Sequence, residues 1–139
     1  MTDLTLTARR IIKAPPERVF NAWLDPAMMM KFMSPGPDVH VSEARADARV
    51  GGRFLVVMVA DRDLPHEGTY TEITRHSRLA FTWESPWSAP DTLVTIDFTP
   101  VPGGTDVVLT HVKFLSEESR DGHFKGWTGI LEKLEAAMA

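Results

Sequence analysis

The chain has 139 residues, no cysteine and a formal net charge of −4 at pH 7. This length fits one domain, expected to span residues 1–139 and to bury a substantial core. The lack of cysteine excludes disulfides and thiol chemistry, and the acidic balance argues against a nucleic-acid partner, which would need clustered Lys and Arg. No stretch approaches 18 apolar residues and the N-terminus lacks a signal-peptide pattern, so the sequence predicts a cytoplasmic protein without a membrane span.

The first 33 residues indicate one strand and two short helices. Apolar and polar residues alternate from Leu4 to Ala8, which predicts a half-buried strand that continues to the Pro15-Pro16 pair. Prolines suit the first helical position, so helices are predicted over 16–24 and 26–33, the second capped by Asp25. Such short helices must pack on a larger surface. They carry Trp23, Phe32 and four methionines, which suit either core filling or an adaptable lid.

From residue 38 onward the apolar period changes to two. Six further strands are predicted over 39–45, 52–60, 68–74, 78–84, 93–100 and 106–114. Their connections are short and contain no helix, so consecutive strands should pair antiparallel as a meander. The strongest turn signals are Gly51-Gly52 and Gly103-Gly104, and the loop 85–90 is expected to expose Trp87.

The final segment, residues 116–139, predicts a long amphipathic helix with Ser116 as its N-cap. Gly122, Gly126 and Gly129 line one edge of its apolar stripe. Each glycine costs about 1 kcal/mol against alanine inside a helix, so something should approach closely there, either the sheet packed on the helix or a ligand for which the missing side chains leave room. The apolar stripe consists of Phe124, Trp127, Leu131, Leu134 and Met138, with Ile130 beside it.

These elements predict an α+β fold in which a curved, seven-stranded antiparallel sheet wraps around the C-terminal helix, with two short helices between strands 1 and 2. Bulky strand faces need not interlock fully with a glycine-edged helix, so a hollow is expected between them, closed by the methionines. Its predicted walls are Phe54, Met58, Phe81, Trp83, Trp127 and Leu131, with the direction of Tyr70 left open.

Catalytic and metal-binding signals are weak. The five histidines form no i, i+4 pair, and there is no nucleophile elbow or glycine-rich phosphate loop, so we expect no metal, no cofactor and no assigned catalytic residue. Strand parity and helix phase point His111 and His123 toward the same interior. They are either hydrogen-bonded core residues or polar anchors of a ligand.

Short motifs occur in a characteristic order over nearly the whole chain. They include Ala14-Pro15-Pro16-Glu17, Asp25-Pro26, Gly51-Gly52-Arg53-Phe54, Phe81-Thr82-Trp83 and Gly126-Trp127. In this combination the sequence resembles homologues of the activator of the 90-kDa heat shock protein ATPase, similar to its C-terminal domain, within the polyketide cyclase and START-like superfamily. The resemblance implies a helix-grip fold around a ligand cavity. Phe32 and Met33 stand where relatives usually carry paired tryptophans, which implies a roomier or more flexible lid.

Three functions follow as hypotheses. The first is binding of a small, mostly apolar molecule, and the second is a cyclase-like or hydrolase-like enzyme with His111 or His123 as general base. The third, a chaperone co-regulator, is less expected, because such activators carry a further N-terminal domain for which this chain has no room. A homodimer through the sheet face of Leu55, Val57 and Val59 is an open alternative.

Overall fold

The computed structural model describes residues 4–85, 92–114 and 116–138. It has the predicted α+β architecture, with one antiparallel sheet and three helices. The elements in chain order are β1 (Leu4–Ile12), α1 (Pro16–Ala22), α2 (Pro26–Phe32), β2 (His40–Ala46), β3 (Arg53–Val59), β4 (Asp63–Thr74), β5 (Arg78–Thr82), β6 (Leu93–Val101), β7 (Gly104–Phe114) and α3 (Glu117–Met138).

The sheet has the order β1-β7-β6-β5-β4-β3-β2, and every neighbouring pair is antiparallel. The predicted meander from β2 to β7 is therefore confirmed. The first strand joins at the far edge, where Leu4 lies opposite Phe114 and Ile12 opposite Thr105. Because β1 and β2 form the two edges, α1 and α2 connect opposite sides of the sheet. The sheet and α3 together form the helix-grip arrangement.

Three strand boundaries differ from the prediction by more than one residue. β4 begins at Asp63 instead of residue 68, β5 ends at Thr82 instead of residue 84, and β7 begins at Gly104 instead of residue 106. Pro65 lies in this added part of β4, where it is opposite Val57 of β3. The predicted exposed Trp87 lies outside the described residues.

Helix α3 begins as predicted, since the Ser116 hydroxyl accepts a hydrogen bond from the Ser119 N–H at 3.1 Å. The prediction for Phe124 is wrong, because its side chain is 45% exposed. Toward the N-terminus the inner face of the helix runs through half-buried His123 instead. The buried residues of α3 are Trp127, Ile130, Leu131, Leu134 and Met138. In the part of the chain described here, no helix is long and apolar enough to cross a membrane.

The short helices α1 and α2 contribute mainly buried side chains to the core. Phe32 and Met33 are almost fully buried, and the Phe32 ring meets Trp23 edge-on with centroids 5.1 Å apart. Met29 is buried as well, whereas Met30 is 43% exposed. The methionines of this segment are therefore mainly core filling. The outer-face residues Leu55, Val57 and Val59 are half-buried, and a homodimer through them stays a prediction.

Candidate functional site

An open pocket of about 550 Å³ lies beside the N-terminal half of α3. Its opposite walls come from β3, from the start of β4 and from the segment that follows β5. The pocket is therefore offset from the center of the sheet, toward the end where α3 begins. The apolar lining residues are Pro35, Met58, Trp83, Trp127 and Ile130. The polar lining residues include His66, His123, Ser116, Glu118 and Ser119.

Four of the eleven residues predicted to contact a ligand line this pocket: Met58, Trp83, His123 and Trp127. The other seven are buried beside or behind it, and their role as ligand contacts stays a prediction. They interlock in the core; the Phe54 ring, for example, lies 5.2 Å from Phe81 and 5.4 Å from Tyr70 between centroids. These seven residues are Phe32, Met33, Phe54, Tyr70, Phe81, His111 and Leu131.

Tyr70, whose direction the sequence left open, points inward. Its side chain is 2% exposed, and its hydroxyl has no hydrogen-bond partner among the described residues. Burial raises the pKa of Tyr70 well above its usual value, so the phenol stays neutral.

Two indole rings form the main wall. The centroids of the Trp83 and Trp127 rings are 4.8 Å apart, and the centroid of the His66 ring lies 4.9 Å from that of Trp83. The result is a continuous aromatic surface, which suits a flat or apolar ligand because such surfaces combine large burial with specific ring contacts.

His111 supports this wall from behind. The Trp127 indole N–H donates to Nδ1 of His111 at 3.1 Å, so the neutral His111 ring carries its proton on Nε2. Burial, with a smaller contribution from the neighbouring His123, lowers the pKa of His111 to about 3. His111 is fully buried and does not line the pocket. It joins β7 to α3 and fixes the orientation of Trp127.

His66 and His123 are the two imidazoles that line the pocket. Nδ1 of His66 lies 3.0 Å from the Leu64 carbonyl oxygen, and Nδ1 of His123 lies 2.8 Å from that of Ser119. A carbonyl can only accept, so both rings carry a proton on Nδ1. Burial lowers the pKa of His66 to about 4, so this ring is neutral at pH 7.

The three helix glycines have different roles. A Cβ on Gly129 would lie 2.0 Å from the Pro35 carbonyl oxygen, so this glycine permits close packing of a loop on the helix. A Cβ on Gly126 would make ordinary contact with Pro35 at 3.5 Å, and one on Gly122 would meet nothing within 4 Å. Gly122 and Gly126 both line the pocket. Gly129 therefore serves close packing, although against the loop of Pro35 and not against the sheet as predicted. That Gly122 and Gly126 leave room for a ligand stays a prediction.

The loop that carries Pro35 is tied to α3 by Lys133. Its Nζ donates to the Ser34 hydroxyl at 2.5 Å and to the Gly36 carbonyl at 2.7 Å, on either side of Pro35. Burial lowers the pKa of Lys133, and these acceptors offset the loss of water.

Sequence reasoning missed His66 and Pro35 as pocket residues. The strand was predicted to begin at residue 68, whereas β4 begins at Asp63 and places His66 on the inner side together with Gly68. Pro35 was not predicted as a contact, although the glycine edge of α3 was the signal that something approaches there. Within the described stretches no group of three or more His, Asp or Glu residues could hold a metal ion.

The comparisons with known proteins agree with this geometry. The family model for Activator of Hsp90 ATPase homolog 1-like protein matches residues 13–139. No curated protein matches the chain.

Solved structures with the same fold come from several bacteria. Protein CV1439 from Chromobacterium violaceum is 26% identical, with 96% of each chain covered and a TM-score of 0.83. The AHSA1-like protein from Aeromonas hydrophila is 28% identical over 96% of this chain and 91% of its own, with a TM-score of 0.84. Protein SA2116 from Staphylococcus aureus shares the fold, with a TM-score of 0.82. It is 16% identical over 98% of this chain and 93% of its own. With the family model spanning all but the first twelve residues, the chain belongs to the Activator of Hsp90 ATPase homolog 1-like family, within the START-like superfamily.

Proposed function

We propose that this protein binds a small, mostly apolar molecule in the pocket between α3 and the sheet. The fold supports small-ligand binding in general. The observation that carries the proposal is the aromatic wall of Trp83 and Trp127 facing an open space of about 550 Å³. Pockets of this size, lined by aromatic and aliphatic side chains with a few polar groups, are typical of small-molecule sites.

The energetics favour an apolar ligand. Removing apolar surface from water contributes about 25 cal/mol per Å² of transfer free energy, from which the costs of association are subtracted. Met58, Trp83, Trp127 and Ile130 are themselves at most 5% exposed, so they form a rigid, preorganised surface that loses little side-chain freedom on binding.

An enzyme remains the second candidate, and one contact favours it. The Ser119 carbonyl fixes the orientation of the His123 ring, as a general base requires. His111 does not line the pocket, so a general-base role would fall to His123 alone. Turnover of any identified substrate that is unchanged in His123→Gln would remove this candidate. A chaperone role is suggested only by the family name, and a shared fold does not carry function with it.

Filling the pocket should abolish ligand binding without unfolding the protein. In Gly126→Leu a side chain enters the pocket, because a Cβ at this position makes only ordinary contact with Pro35. We expect the affinity for the neutral probe N-phenyl-1-naphthylamine, measured by its fluorescence, to fall at least about tenfold, equivalent to 1.4 kcal/mol.

The matched control is Lys125→Leu, which introduces the same side chain at an exposed position that does not line the pocket. It should bind the probe as the unchanged protein does. Equal affinity in the two variants, or no binding by the unchanged protein, would contradict the proposed function.

A further inference from the structure

We infer that the ligand of this pocket is uncharged and donates a hydrogen bond, as an alcohol or phenol does, to Nε2 of His123. This inference rests on the proposed function and narrows its ligand class. Three observations carry it: the fixed ring of His123, the absence of Lys and Arg from the described lining, and the burial of the unpaired indole N–H of Trp83.

The His123 ring presents an unoccupied acceptor. Its Nδ1–H donates to the Ser119 carbonyl one turn earlier in the same helix, at 2.8 Å. In the neutral ring Nε2 is then an acceptor, and no described residue donates to it. The half-buried ring lines the pocket, while its other neighbours are the rings of His111, 5.4 Å away, and Phe114, 5.0 Å away. A ligand that covers Nε2 without donating to it would leave a desolvated acceptor, which costs binding free energy.

The charges around the pocket disfavour an anion. No Lys or Arg side chain lines the described part of the pocket, and the only carboxylate is that of Glu118 at the rim. The start of α3 would attract an anion, but Ser116 already accepts the Ser119 N–H, and Glu117 and Glu118 offset the positive end of the helix dipole. A fatty-acid carboxylate would therefore enter without a counterion.

A cationic ligand would gain little more binding free energy in this pocket than an anionic one. Glu118 is exposed, and exposed ion pairs contribute little because water screens them. A cation that leaves this rim for the apolar walls loses its hydration without a buried partner. The neutral His66 ring also carries no negative charge that could pair with a cationic ligand.

Among the buried side-chain atoms without a partner in the described residues, the indole N–H of Trp83 is the one that belongs to a lining residue of the pocket. It is buried from solvent, so it cannot reach a ligand in the open pocket. We therefore assign the selection between ligands of similar shape to Nε2 of His123.

Four probes of similar shape test the inference by calorimetry at pH 8: 2-naphthol, 2-methoxynaphthalene, 2-naphthoate and 2-naphthylmethylamine. We expect 2-naphthol to bind at least about tenfold more tightly than 2-methoxynaphthalene, which cannot donate, and more tightly than either charged probe. In His123→Phe the preference for naphthol over methoxynaphthalene should vanish while methoxynaphthalene still binds. His123→Gln, which offers an amide oxygen, should restore part of the preference.

The outcomes separate the two proposals. If 2-naphthol and 2-methoxynaphthalene bind equally, or if the preference persists in His123→Phe, the hydrogen bond to His123 is refuted although the pocket binds ligands. Tighter binding of the naphthoate or the amine than of naphthol refutes the uncharged ligand class. If none of the four probes binds, the proposed function itself is refuted, and the inference with it.

Discussion

Replacement of Gly129 by alanine is expected to destabilise the protein by about 2–4 kcal/mol, although alanine is the better helix former. The new Cβ would lie 2.0 Å from the Pro35 carbonyl oxygen and 2.8 Å from its carbon, so the backbone must shift. The loop cannot move freely, because Lys133 holds the residues on both sides of Pro35 through Ser34 and Gly36. The steric cost therefore outweighs the gain in helix propensity.

The matched control is Gly122→Ala in the same helix. A Cβ there meets nothing within 4 Å, so only the propensity changes and the variant should be more stable by up to about 1 kcal/mol. Urea unfolding at pH 7.5 measures both variants. If Gly129→Ala is stabilised as much as Gly122→Ala, the loop does not pack on the helix and one wall of the pocket is misplaced.

Acid is expected to weaken the fold well before the carboxylates protonate. The pKa of His66 is about 4 and that of His111 about 3 in the folded protein, against 6.5 for an unperturbed histidine. Since both values are depressed, the unfolded chain binds more protons below pH 6.5, and stability falls as the pH drops from 6.5 toward 4 and 3. In that window each histidine lowers the free energy of unfolding by about 1.4 kcal/mol for each pH unit of acidification.

Between pH 7.5 and pH 4.5 the combined loss of stability should reach about 5 kcal/mol, a large part of the stability of a typical domain. His111→Asn offers an internal control, because its amide oxygen can still accept from Trp127 but does not titrate. Urea unfolding at half-unit pH steps should show a smaller slope in this variant, with the remainder due to His66. A flat stability between pH 7 and pH 5, or an unchanged slope in His111→Asn, would show that these rings are not held neutral by burial.

The strands and the last helix could be predicted because each has a clear apolar period. Alternation in β1 and β6, the Ser116 cap and the turns at Gly51 and Gly103 are local signals, and both of these glycines have the left-handed backbone that the turns require, with φ of 86° and 84°. β1 joins β7 at the edge of the sheet, a pairing that links residues about a hundred positions apart and that no local pattern encodes.

The site was harder to predict. The alternation of positions along a strand tells which residues face inward, but not which of their side chains pack directly on one another. Phe54 and Phe81 face inward as expected, and Tyr70, whose direction was left open, does so too, with the three rings packed on one another. The pocket instead lies where Gly122 and Gly126 lack side chains. Its position depends on how neighbouring elements pack, which a single sequence does not specify.

A crystal structure with 1-bromonaphthalene tests the central claim most directly, because the anomalous signal of bromine locates the probe without ambiguity. The account predicts one bromine site in the pocket, in van der Waals contact with Trp83 and Trp127. A bromine bound only on the outer sheet face near Leu55 and Val57, with the pocket empty at a concentration that saturates the protein in solution, would contradict it.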